Sequence, residues 1–186
     1  MTNQTRLFKR LAALYARMDE AWKAAAAHYG FICRGCADNC CETEFYHYTY
    51  IEKHYLLSGL KTLPLPSIET IKKKAKAACT ARDETRPVER PVRVMCPLNS
   101  NGLCQLYKFR PMICRLHGIP HELKNPGANP VRQPGCADGT PLFKAATYFK
   151  FDRTPLYTAM AKIEMEYRSS TDNRTRIKQT IAEMLT

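Results

Sequence analysis

The sequence predicts a mainly α protein in which helices flank a small, irregular, cysteine-rich metal-binding core with few or no strands. Three observations carry that prediction. Apolar residues recur at helical steps over residues 3–29 and again over 154–185. Eight of the nine Cys fall into two groups, Cys33, Cys36, Cys40 and Cys41, then Cys96, Cys104, Cys114 and Cys136. The residues that follow the second group's start are rich in Pro and Gly, which suits loops better than regular elements.

The first helix is predicted over residues 3–29. Leu7, Leu11, Leu14, Met18, Trp22 and Tyr29 recur at three-, four- or seven-residue steps, the alanines at 24–27 favour helix, and Gly30 is placed to end it. A face packed on a core explains this stripe better than an oligomer seam, because the repeat covers fewer than four clean heptads. After Gly30 comes FICRGCADNCC, residues 31–41. A Cys-x-x-Cys turn sets two thiolates on one side of a tight loop, as a tetrahedral metal or an iron–sulfur cluster requires. A short helix is then predicted over residues 49–57, stopped by Ser58-Gly59, with His47 and His54 as minor ligand candidates. Ser67 is placed to cap a third helix running to about Arg82. Its run Lys72-Lys73-Lys74-Ala75-Lys76 reads as a solvated basic face, and Cys79 on the same helix reads as a spare thiol. Residues 86–91, with two prolines, are expected to form an extended connector.

The second group lies in CPLNSNGLCQLYKFRPMIC, residues 96–114. Asn99-Ser100-Asn101-Gly102 is a strong turn signal that lets Cys96 and Cys104 face each other. Residues 105–109 suit a short helical segment, and Pro111 pushes Arg110 out of the helical conformation. Arg110 and Arg115 are candidates to donate to sulfur and offset thiolate charge. Residues 118–141 carry little expected regular structure, and a metal ligand at Cys136 would pin them. Thr154 and Pro155 then open a helix whose apolar face is Leu156, Met160, Ile163 and Tyr167. After Ser169-Ser170-Thr171 a last helix presents Ile177, Ile181 and Leu185. The expected organisation is an amphipathic helix over residues 1–30, a cysteine domain over 31–141, and helices over 142–186 packed on that same domain.

No apolar signal run opens MTNQTRLFKR and no stretch of eighteen apolar residues occurs, so a cytoplasmic protein with no membrane association is expected. In a reducing compartment dense Cys spacing favours metal binding over disulfides, and the odd Cys count fits a disulfide framework poorly. The formal charge of +12 permits nucleic acid or acidic partners. Two Zn²⁺ held by eight thiolates would lower that charge to about +8. Walker, dinucleotide, Ser-x-x-Lys and nucleophile-elbow patterns are all missing, so no reaction or catalytic residue is assigned.

The two groups together resemble the YkgJ-type cysteine-cluster proteins, the zinc- or iron-chelating domain named for a CxxCxxCC signature. The matching residues are Cys33, Cys36, Cys40 and Cys41, continuing through Cys96-Pro97, Cys104, Tyr107, Arg110-Pro111, Cys114-Arg115 and Cys136. The match covers roughly residues 31–137. It departs in one respect: three residues, Ala37-Asp38-Asn39, precede the double Cys where the signature has two. The resemblance implies chelation of zinc or iron, with no settled reaction.

From the residues themselves, the expected cofactor is zinc or iron, an iron–sulfur cluster included, with an unidentified protein or redox partner. A zinc-stabilised nucleic-acid-binding or protein-interaction module is the alternative. Side chains of adjacent residues in an extended segment point to opposite faces, so Cys40 and Cys41 are expected to serve different sites. Eight thiols then suffice for two sites of four, each drawing on both groups.

Overall fold

The computed structural model describes residues 2–33, 40–85 and 93–186. It is 55% helical with two small two-stranded sheets, which establishes the mainly α class. The chain divides into two compact units, residues 1–38 with 114–173, and residues 39–113 with 174–186.

In the first unit, helix α1 (Asn3–His28) packs on α6 (Thr154–Thr171). The helical apolar spacing of both is what makes this seam: Leu7, Leu11, Leu14, Tyr15 and Met18 are buried on α1, and Leu156, Met160, Ile163 and Tyr167 on α6. Gly30, at φ +61°, takes the left-handed conformation that ends α1 cheaply. Trp22 donates its indole N–H to the carbonyl of His117 at 2.8 Å, fixing α1 to the loop at His117. Arg115 and Arg153 are buried in this unit. Arg115, expected to serve sulfur, is engaged by the Asp19 carboxylate at 2.5 Å and lies over the Tyr15 ring. Arg153 donates to the carbonyls of Leu116 and Ile119. Thus charge inside the unit is used to satisfy backbone acceptors and a carboxylate.

Residues 118–141 are more regular than predicted. They hold an antiparallel pair, β3 (His121–Leu123) with β4 (Val131–Gln133), and the start of α5 (Thr140–Ala145). The ladder, together with the bond from Glu122 N–H to Phe151 O at 2.8 Å, orders this stretch.

In the second unit, α2 (Tyr50–Leu60), α3 (Leu65–Thr85) and α7 (Ile181–Leu185) surround Leu56, Leu60, Ile71, Ala75, Leu98, Leu106, Met184 and Leu185. Two predicted boundaries shift. Helix α2 runs through Gly59, whose missing side chain admits the Phe109 ring: a Cβ there would lie 2.3 Å from Phe109 Cγ. Helix α3 begins at Leu65, with Pro66 in the first turn, where its missing N–H would lack a partner anyway. Helix α7 is only five residues long, but Thr180 and Glu183 form a reciprocal capping box at its start. Arg82, also buried, donates to Thr180 Oγ1 at 2.6 Å and pairs with Glu44 at 3.1 Å. Helix α4 (Met112–Leu116) follows a 3-10 turn at Tyr107–Phe109, and Arg110 between them is extended at φ −58°, ψ 139°, as Pro111 demands.

Candidate metal centre

The second unit brings the end of the first cysteine group to the start of the second. Cys40 and Cys41 lie in a turn, with Thr43 N–H directed to Cys40 O at 3.3 Å. The amide of Cys96 donates to the carbonyl of Cys41 at 2.7 Å, a direct backbone clamp between residues 55 apart in sequence. Beyond Cys96, Pro97 turns the chain so that Asn99 N–H reaches Cys96 O at 2.9 Å. The amides of Leu98 and Asn99 also point to the Cys96 sulfur. N–H groups converging on sulfur favour a thiolate over a thiol.

The turn over residues 99–104 is a two-residue hairpin of β1 (Asn99–Ser100) and β2 (Leu103–Cys104). Asn101 at φ 51° and Gly102 at φ 82° occupy its centre, the positive-φ pair that Asn-Gly tolerates best. Cys104 pairs across the ladder with Asn99, and Gln105 N–H returns to Leu98 O at 2.9 Å. The hairpin therefore carries Cys104 back toward Cys96.

Electrostatics set these thiols apart. The Cys41 thiol is pulled down to about 6, chiefly by a hydrogen bond from Cys40, with Asn99 helping against burial and Glu42. Burial pushes the Cys96 thiol up to about 12, and the Cys41 and Cys104 charges add to that rise. At neutral pH Cys96 is therefore a neutral thiol beside the acidic Cys41, and a soft cation such as zinc or iron is what would favour its ionised form. The expectation that Cys40 and Cys41 point to opposite faces does not hold. They sit in a turn rather than an extended segment, so strand alternation does not apply and their thiols bond to each other.

The remaining candidates are placed differently. Cys33 is exposed just after buried Phe31, Cys36 lies outside the described residues, and Cys114 is in α4. Cys136 N–H donates to Gly118 O at 2.9 Å, and its sulfur lies 3.8 Å from where a Gly118 Cβ would stand. Cys33, Cys114 and Cys136 belong to the first unit. Cys79 is on α3 beside Arg82, Asp83 and Glu183, its thiol raised mainly by burial. Buried His47 is held through its backbone by Gln179, and burial lowers both His47 and His54. Among the described residues, no three side chains of His, Cys, Asp or Glu are grouped closely enough to hold a metal ion.

No family model matches this chain, and no curated protein or solved structure does either. No described helix is long and apolar enough to cross a membrane.

One residue escaped the sequence reading. Asn99 was read only as part of a turn, yet it is buried and bridges turn to thiol. Its Oδ1 accepts the Gly102 N–H at 3.0 Å, which directs Nδ2 away from the turn. Nδ2 is buried without a well-aligned hydrogen bond, and the side chain helps lower the Cys41 thiol. The signal available was the Asn-x-Asn-Gly pattern: the first Asn of such a hairpin has a side chain to spare.

Proposed function

We propose that this chain is a metal-binding protein that chelates zinc or iron through its two cysteine groups, with kinship to the YkgJ-type cluster proteins. The observation that carries the reading is the backbone clamp from Cys96 to Cys41, with amide groups aimed at the Cys96 sulfur. The ligand candidates are Cys33, Cys36, Cys40, Cys41, Cys96, Cys104, Cys114 and Cys136, and the thiol-rich chain suits a reducing cytoplasm. Four thiolates closing on zinc leave no position for substrate, so zinc would have a folding role. An iron–sulfur cluster would supply electron transfer and call for a redox partner. In either case the protein's own part is to hold the sulfurs, donate N–H groups to them and keep water away.

A second reading, a zinc-stabilised nucleic-acid binder, is favoured by one observation: Lys72, Lys73 and Lys76 of α3 are all exposed. Phosphate contacts impose a salt slope, so nucleic-acid binding that is absent or insensitive to salt would dismiss it.

Binding at such a site becomes folding energy. The test of the main reading is limited proteolysis and melting before and after exhaustive chelation. Chelation is expected to lower the melting temperature and open residues 31–41 and 96–137 to cleavage. An unchanged melting curve and cleavage pattern would refute the reading.

A further inference from the structure

The first unit carries a cleft of about 370 Å³, lined by Glu122, Pro130, Arg132, Tyr148 and Lys150 and outside the cysteine groups. Its floor is made by strand register. Glu122 of β3 and Arg132 of β4 are directly opposed across the antiparallel pair, and Arg132 Nε–H donates to Glu122 Oε1 at 2.9 Å. Strand β3 is pinned in turn by Glu122 N–H to Phe151 O at 2.8 Å and Arg153 N–H to Glu122 O at 2.9 Å. These bonds bring the segment bearing Tyr148 and Lys150 alongside.

Two contacts fix the Arg132 guanidinium. Its Nε is held by the nearly buried Glu122, and its plane lies over the Tyr148 ring with Cζ 4.1 Å from the centroid. The Tyr148 hydroxyl also bonds to Glu122, so the stacking ring is itself tethered. Among the described residues neither terminal nitrogen of Arg132 has a hydrogen-bond partner, although the side chain is 67% exposed. Lys150, at the same cleft, makes no ion pair among the described residues and meets Asp152 only at longer range. An exposed surface arginine ordinarily loses much rotamer freedom on binding. Here the Glu122 bond and the Tyr148 ring already restrain the side chain, and Lys150 lines the same cleft.

We propose that this cleft is a binding site for a small molecule bearing a carboxylate or phosphate, clamped bidentately by the Arg132 fork and assisted by Lys150. The proposal does not depend on metal binding. Planar two-point recognition is what a guanidinium provides and an ammonium does not.

The test is calorimetric titration of the full chain with sodium phosphate, and separately with sodium acetate, at constant ionic strength. At least one anion is expected to bind saturably at one site. Phosphate binding more tightly would identify a phosphate ester as the natural ligand, and acetate binding at least as tightly would identify a carboxylate. R132A should weaken binding by at least about 10-fold, as loss of charge-assisted bonds implies. R132K, which keeps the charge but not the fork, should weaken it measurably. K162A, which removes an exposed charge from α6 of the same unit, should leave it unchanged. Circular dichroism verifies folding, and R132K, which keeps a cation beside Glu122, serves as the readout if R132A destabilises the chain by stranding that carboxylate. Failure of both anions to saturate, wild-type binding by R132A or R132K, or an equal loss in K162A would each overturn the proposal.

Discussion

Among the described residues Arg153 is the largest fully buried side chain, and burial draws its guanidinium down to about 10, so it stays charged at neutral pH. Its donors satisfy the carbonyls of Leu116 and Ile119, at the end of α4 and just beyond it. Replacing it with Met keeps much of the volume but strands both acceptors. R153M is expected to destabilise the protein by about 2–4 kcal/mol in urea denaturation. A change within experimental error would show that water replaces the guanidinium at no loss. Near it, burial first, and the Arg153 charge second, lower the His121 imidazole to about 4, well below its ordinary 6.5. Between those two values the unfolded chain binds more protons than the folded one. The contribution is therefore fully present above pH 6.5 and lost as the pH falls toward 4. The slope of stability against pH in that window should be shallower in H121Q, read from denaturation midpoints at several pH values.

At the same scale the thiols divide. Cys79 shares its surroundings with Arg82 and acidic residues, whereas Cys96 has Cys41 and Cys104 as neighbours. C79S should keep the full metal content of the wild type and C96S should lose it, as measured by elemental analysis. Metal loss from C79S would mean that the ligands are misassigned. The sequence made the cysteine groups legible, because spacing alone marks them. It did not make legible which thiols meet: that depends on the Cys40–Cys41 turn and on a backbone bond to Cys96, both set by non-local packing.

Among the elements, the long helices were readable because their apolar faces repeat at helical spacing, and the buried residues of α1 and α6 are largely those the spacing selects. What misled was the assumption that Gly and Pro break structure. Gly59 sits inside α2 because Phe109 packs on it, and Pro66 sits inside the first turn of α3. The β3–β4 pair was missed because three-residue strands are too short to display an alternation. The Gly59 contact yields its own prediction. G59A places a methyl against the ring and should cost about 1–3 kcal/mol. Adding F109L, which leaves the site roomier, should recover part of that loss. If the double variant is less stable than the sum of the single changes, the contact is not the reason for the glycine.

Across the whole molecule, the basic composition and the thiols bear on one another. The formal charge of +12 counts every thiol as neutral, and metal-bound cysteines are thiolates. With metal bound as proposed, part of the excess positive charge would be balanced at the cysteine groups, leaving the remainder for anions such as the proposed ligand of the Arg132 cleft. Each unit has its own apolar core, so metal removal should loosen the segments around the cysteines before the α1–α6 seam melts. Hydrogen exchange would show this as early loss of protection at residues 96–104 while Leu11 and Ile163 remain protected.

The central claim is that the cysteine groups bind metal, and it is tested most directly by elemental analysis and visible absorbance of protein purified without oxygen. Zinc or iron is expected in stoichiometric amount, with colourless protein for zinc and a charge-transfer band for an iron–sulfur cluster. Protein that is folded, fully reduced and free of both metals, and that takes up neither when each is supplied, would contradict it.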